Sequence, residues 1–171
     1  MLNHGIGSAL AGGWQLNGIL SIMQGRPFTI ASSATALNTI GNAQTGDQVK
    51  PDIEIYGGIG RGVSWFDPNS FMPVNDKRYG TSGRNILFGP GVTNMDASLF
   101  RTFRITERFN MQFRYELFNV TNTPAFGNPG ATVSSASRNP DGTVKATGGF
   151  TEITAASATE RRMRFALKLT F

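Results

Sequence analysis

Six ionisable side chains, Arg104, Arg114, Glu116, Arg162, Arg164 and Lys168, occupy even-numbered positions in segments whose odd-numbered positions are apolar. Cations and a carboxylate gathered on one face could line a water-filled passage, meet an anionic ligand or touch a further domain. The same pattern is also what the wetted side of any amphipathic sheet looks like, so it marks a face and not a reaction. Arg101 and Arg161 break the pattern by falling on the apolar parity. Both are expected close to strand ends, where an arginine on a lipid-facing surface costs only about 0–1 kcal/mol, against about 2–4 at the bilayer midplane.

No catalytic set assembles around these groups. His4 is the single histidine and has no acidic or sulfur ligand at metal-binding spacing, and the absence of cysteine removes disulfides and thiolate metal sites. The carboxylates are scattered, so no nucleophile, base and orienting acid can be named, and neither an enzyme nor a cofactor is expected. GGIGRG (57–62) has the look of a phosphate-binding loop but lacks the third glycine at the required spacing and the flanking strand and helix; it reads as a flexible loop. Net charge is +5, which would allow a nucleic-acid partner. The arginines alternate with phenylalanines and form no run, so no nucleic acid is expected. FNVTNTPAFGNP (118–129), which contains an Asn-Val-Thr sequon at 119–121, reads as turn chemistry: asparagines satisfying local backbone and prolines ending a ladder.

The elements that must carry these residues are strands. Charged residues are 16% of the chain, with 21 glycines and 13 phenylalanines, a composition of strands and turns. No run approaches the roughly 20 apolar residues of a membrane helix, and MLNHGIGSALAGG (1–13) lacks the basic start and unbroken apolar stretch of a signal peptide. Period-two alternation marks four strands, near 13–30, 92–105, 109–120 and 160–171, separated by long loops at 31–91 and 121–159. Short hairpins are expected within the loops, around Asp52–Tyr56 and Thr143–Ala146. Only the residues around ITER separate the second and third strands. Residues opposite one another in an antiparallel pair keep a constant sum of numbers, so the two odd-numbered apolar faces agree only if that sum is even. A three-residue loop, Thr106–Arg108, is therefore predicted, pairing Ile105 with Phe109, Phe103 with Met111 and Leu99 with Tyr115, without the glycine that such loops favour. Strands of this length, joined by a short turn on one side and long loops on the other, match a transmembrane antiparallel β-barrel.

The segments GGWQLNGILSIMQGRPFT, WFDPNSF, YGTSGRNILFGPGVTNMDASLFRTFRITERFNMQFRYELFN, PAFGNP and RMRFALKLTF, in this order, resemble the C-terminal end of TonB-dependent outer-membrane receptors. They are most similar to the subgroup whose chains begin with a carboxypeptidase-regulatory-like domain. The resemblance covers nearly the whole chain. It implies an all-β fold, a transmembrane barrel present as an open sheet of about four C-terminal strands, because so few cannot enclose an interior. It implies residence in the cell outer membrane and a part in nutrient uptake. It also implies that Phe165, Leu167, Leu169 and Phe171 form the signal read by the barrel-assembly machinery. Trp14, Phe103, Phe109 and Phe171 would lie in the periplasmic aromatic girdle, and the six even-numbered ionisable residues could face the lumen. Outer-membrane lipid and an unknown small or oligomeric substrate are the remaining partners, with the TonB system reached only through an N-terminal part not in this chain. A complete receptor of this kind has a plug and about 22 strands, so the chain is expected to be a fragment unable to transport alone. A soluble β-sandwich binding module, with the apolar parity as its core, is the alternative from another class. A small pore or adhesin is the third reading, although such barrels need at least about eight strands.

Overall fold

A computed structural model describes residues 12–33, 44–157 and 160–171; His4 and the rest of the opening segment, 34–43 in the first long connection, and 158–159 in the second lie outside the described residues. The strands are β1 (Trp14–Met23), β2 (Pro27–Phe28), β3 (Asp47–Gln48), β4 (Phe71–Met72), β5 (Leu87–Phe88), β6 (Val92–Arg104), β7 (Asn110–Phe118), β8 (Ser137–Arg138), β9 (Val144–Ala146) and β10 (Arg162–Thr170). Short 3₁₀ turns at Pro68–Ser70 and Val133–Ser135 are the helical pieces among the described residues. Two compact units result: a sheet unit (Met1–Ile22, Thr93–Pro124 and Thr159–Phe171) and a loop unit (Met23–Val92 and Ala125–Ala158).

In the sheet unit the order is β1-β6-β7-β10, leaving β1 and β10 as edges. β6 and β7 are antiparallel, with Phe103 opposite Met111 and Leu99 opposite Tyr115, the even register that the apolar parity demands. The turn closes as a three-residue loop: the Ile105 amide donates to the Phe109 carbonyl at 3.0 Å, and the Phe109 amide donates to Thr106 Oγ1 at 3.1 Å. Glycine is unnecessary because none of the residues 105–109 has a positive φ; the Thr106 hydroxyl supplies the local acceptor instead. β10 continues the pattern, with Tyr115 opposite Phe165, Phe113 opposite Leu167 and Met111 opposite Leu169.

Both ends of the expected strands move inward. β7 stops at Phe118 and not at 120 because Asn119 turns to φ 52°, a conformation asparagine tolerates. Its amide donates to Asp96 Oδ1 at 2.8 Å and its Oδ1 accepts the Thr123 amide at 3.0 Å. The first strand ends at Met23 and does not run to Ile30. Gly25 lies so close to Gly89 that a Cβ there would sit 1.8 Å from the Gly89 carbonyl oxygen, and the next residues, Pro27 and Phe28, pair with Phe88 and Leu87 instead.

The two long connections are not open loops. They pack a common core of Phe28, Ile30, Phe66, Phe71, Leu87, Val133 and Phe150, in which Phe66 meets Phe71 and Phe150 edge-on at 5.9 and 5.4 Å. Aromatic pairs of this geometry add about 0.5–1.5 kcal/mol beyond area burial. The ladders β2–β5 and β3–β4 are two residues long, too short to leave a period in the sequence. The hairpin near Thr143–Ala146 forms as β8–β9, turning through Asn139–Gly142 with Gly142 at φ 86°. Asp52–Tyr56 forms no hairpin of its own: Ile55 bridges Phe66, and the Tyr56 amide donates to Trp65 O at 2.9 Å.

The apolar parity of the sheet is not a core. Leu16 is 76% exposed, Phe165 70% and Leu167 69%, so the β-sandwich, which requires these residues to be buried, is excluded. The fold is all-β, an open antiparallel sheet of barrel type.

Candidate functional site

The exposed apolar face is ordered by cross-strand pairs. Phe165 stacks on Tyr115 with ring centroids 4.4 Å apart, and the Tyr115 hydroxyl donates to Met163 Sδ at 3.5 Å. Leu167 and Leu169 stand opposite Phe113 and Met111, and Phe171, 91% exposed, packs its ring 6.4 Å from that of Phe109. The four aromatic residues assigned to one girdle form two groups. Phe109 and Phe171 meet each other, whereas Trp14 and Phe103 meet at the guanidinium of Arg101, which lies 5.3 Å from one ring and 4.5 Å from the other. Trp14 also meets Phe113 edge-on at 5.9 Å.

Arg101 is not at a strand end. It pairs with Phe113, well within the nine-residue β7, away from the strand end at which an arginine on the apolar parity would be cheap. The conflict is resolved by cover: the residue is only 7% exposed, with its charge against two aromatic faces, an arrangement worth about 0.5–1 kcal/mol when wet and about 2 when desolvated. Arg161 precedes β10 and is exposed, its amide donating to Asn122 Oδ1 at 3.4 Å.

On the opposite face, Arg104 stands across from Asn110, which in turn faces Thr170, while Lys168 faces Gln112. Arg114 lies over the Phe100 ring at 4.9 Å and pairs with Glu116 at 3.2 Å. Glu116 is flanked by Ser98 and Arg164; Arg164 lies over Phe118 at 5.4 Å, and Arg162 stands opposite Phe118. The sequence reading missed Phe100 and Phe118 as platforms for arginine, although both sit on the polar parity. A shallow cavity of about 160 Å³ opens between Asn17, Asp96, Ser98 and Glu116. Its two carboxylates are engaged, Asp96 by Asn94 and the Asn119 amide and Glu116 by Arg114. Among the described residues, Arg104, Arg162, Arg164 and Lys168 have no ion-pair partner. This face carries surplus positive charge.

Several charges of the loop unit are consumed by its own architecture. Asp67 accepts from Lys50 Nζ at 2.6 Å, Ser70 Oγ at 3.0 Å and the Asn69 amide at 3.0 Å. Burial pushes its carboxyl up, but those donors outweigh burial and hold it below the ordinary carboxylate range. Arg78 grips Asp47 with two bonds of 2.8 and 2.7 Å, which lowers the Asp47 carboxyl in the same way. Arg138 donates to the carbonyls of Gly142 and Phe71 at 2.8 and 2.6 Å, and burial lowers its guanidinium. The glycine-rich loop also has an occupant: the Thr147 hydroxyl and the Gly62 amide donate to the Glu152 carboxylate and lower its pKa. An internal anion thus takes the place where a phosphate would have to bind.

The geometry is that of an amphipathic antiparallel sheet with its apolar residues gathered on one face, with strand lengths suited to crossing a bilayer. Residues 1–164 match the family described as "Outer membrane beta barrel domain"; the closing Phe165–Phe171 lies beyond the matched range. No curated protein and no solved structure matches the chain. A register-locked sheet with one lipophilic face and a family match across most of the length have one reading: the chain belongs to the outer-membrane β-barrel domain family.

Proposed function

We propose that this chain is part of the barrel wall of a TonB-dependent outer-membrane receptor for nutrient uptake, and does not transport by itself. The carrying observation is the combination of a sheet with two free edges and a three-residue turn at one end of β6 and β7 with long connections that fold into a unit of their own. Large folded loops on one side and tight turns on the other are the asymmetry of outer-membrane barrels, and the ordered segments from GGWQLNG to RMRFALKLTF resemble this receptor class. In that setting outer-membrane lipid contacts the odd-numbered face of β6, β7 and β10. The barrel-assembly machinery reads Phe165, Leu167, Leu169 and Phe171, and the TonB system acts through a plug-bearing part of the receptor.

The test is uptake in the native host. Inactivating the gene that carries this chain and inactivating TonB should remove the same high-affinity uptake, and the two losses should not add. Uptake that persists without TonB would refute the receptor reading. For the assembly role, removing Phe171 should lower the yield of heat-modifiable protein in the outer membrane without lowering synthesis; an unchanged yield would count against it.

A further inference from the structure

We propose that the loop unit contains a binding site for a small organic anion, a carboxylate carried on an apolar body, in the cavity beside Arg26. The cavity has a volume of about 570 Å³ and is lined by Met23, Gln24, Arg26, Pro90, Phe126 and Asn128 among others. Small-molecule sites commonly occupy roughly 300–1,000 Å³, with mostly apolar walls and a few polar groups that fix orientation.

Arg26 is the single charged residue in this lining. Among the described residues neither its guanidinium nor the Gln24 amide has a hydrogen-bond or ion-pair partner. The other cavities differ in this respect. The one containing Arg61 and Lys145 already includes the Glu152 carboxylate, and the one containing Arg138 has its guanidinium spent on two carbonyls. The backbone beneath Arg26 is fixed. Its carbonyl accepts the Gly89 amide at 3.0 Å, and the next residue, Pro27, pairs with Phe88. A Cβ at Gly89 would lie 2.4 Å from Asn128 Oδ1, so the glycine is what admits Asn128 to the wall.

A guanidinium binds a carboxylate through two parallel bonds, which an ammonium cannot reproduce. Phe126, Met23 and Pro90 offer flat or polarizable apolar surface to the body of the ligand, and the amide of Gln24 can complete its polar contacts, that of Asn128 already donating to the Pro27 carbonyl at 3.4 Å. That such an anion is imported cargo rests on the uptake reading above; its binding here does not.

The experiment is calorimetric titration of the full chain in detergent micelles with naphthalene-2-carboxylate, against empty micelles. Comparison ligands are naphthalene-2-carboxamide, which is neutral and of the same shape, and galacturonate, which carries its carboxylate on a polar body. Saturable single-site binding of the naphthoate is expected, with the carboxamide and the galacturonate at least ten-fold weaker. Arg26→Gln should reduce the naphthoate to the level of the carboxamide, Arg26→Lys should fall between, and Phe126→Ala should weaken both aromatic ligands. Non-saturable uptake by the micelles, equal affinity for acid and amide, tighter binding of galacturonate, or indifference to both Arg26 variants would overturn the site. Failure of this titration with TonB-dependent uptake intact removes the site alone; the converse removes the receptor reading alone.

Discussion

Arg101 shows how a single residue can look wrong for its face and still be compatible with it. Its number places it on the apolar parity of the sheet. The cover comes from Phe103 two positions on and from Trp14 on another strand. The expected consequence is coupling. Trp14→Ala should destabilise the sheet more when Arg101 is present than in an Arg101→Leu background, by about 0.5–2 kcal/mol in a double-mutant cycle, read from urea unfolding in detergent or bilayers. Zero coupling would mean that the ring does not shield the charge. Asp67 makes the other residue-scale demand. Its carboxyl pKa is lower in the folded chain than its ordinary 3.8, so the unfolded chain takes up the proton first as pH falls. Its stabilisation is complete above that value and drains away as pH drops through the folded one. The thermal midpoint of the loop unit should therefore fall below about pH 4, and Asp67→Asn should flatten that part of the profile. The same variant should also be less stable at pH 7, because Asn69 and Ser70 lose a charged acceptor. An unchanged acid limb would show that Asp67 is not among the groups responsible.

At the scale of elements, the β6–β7 turn is where parity acts as a constraint on loop length. Deleting Arg108 leaves Thr106 and Glu107 as a two-residue loop that still sets Ile105 opposite Phe109 and Phe103 opposite Met111, so the apolar faces stay matched. That deletion should therefore still give heat-modifiable barrel, whereas deleting Gln112, which leaves the turn intact but sets Thr102 opposite Phe113 and Phe100 opposite Tyr115, should abolish it. Assembly of both would mean that a bulge absorbs the slip. β6, β7 and β10 were legible because each alternates over nine or more residues, long enough for a period to stand out. The far end of β1 was not legible. Met23 ends the strand because Gly25 and Gly89 touch, and a contact between residues so distant in the chain leaves no local mark beyond two unremarkable glycines.

The chain holds two apolar systems of opposite kinds: a sheet face exposed on the edge strands β1 and β10 and half-buried on β6 and β7, and a buried aromatic core in the loop unit. Phe66, fully buried and in contact with three other phenylalanine rings, is the test of the second. Phe66→Ala should cost about 3–5 kcal/mol and collapse amide-exchange protection at Ala31 and Trp65, whose amides donate to the Ala131 and Thr151 carbonyls, while leaving that of β6 and β7 in place. Simultaneous loss in both would show a single cooperative unit. The sequence by itself determined strand identity in the sheet, the parity of each face and the length of the β6–β7 loop, because these follow from a period of two and a conserved pairing sum, both local rules. It also displayed every charge that the polar face carries. Only the tertiary structure decided that the long connections fold, that Glu152 occupies the glycine-rich loop, that Arg101 is covered and that Arg26 stands unpaired in a cavity. Each of these depends on which distant segments meet. In the loop unit that choice is made by scattered phenylalanines and by two-residue ladders, whose burial is favourable only once the partners have been brought together.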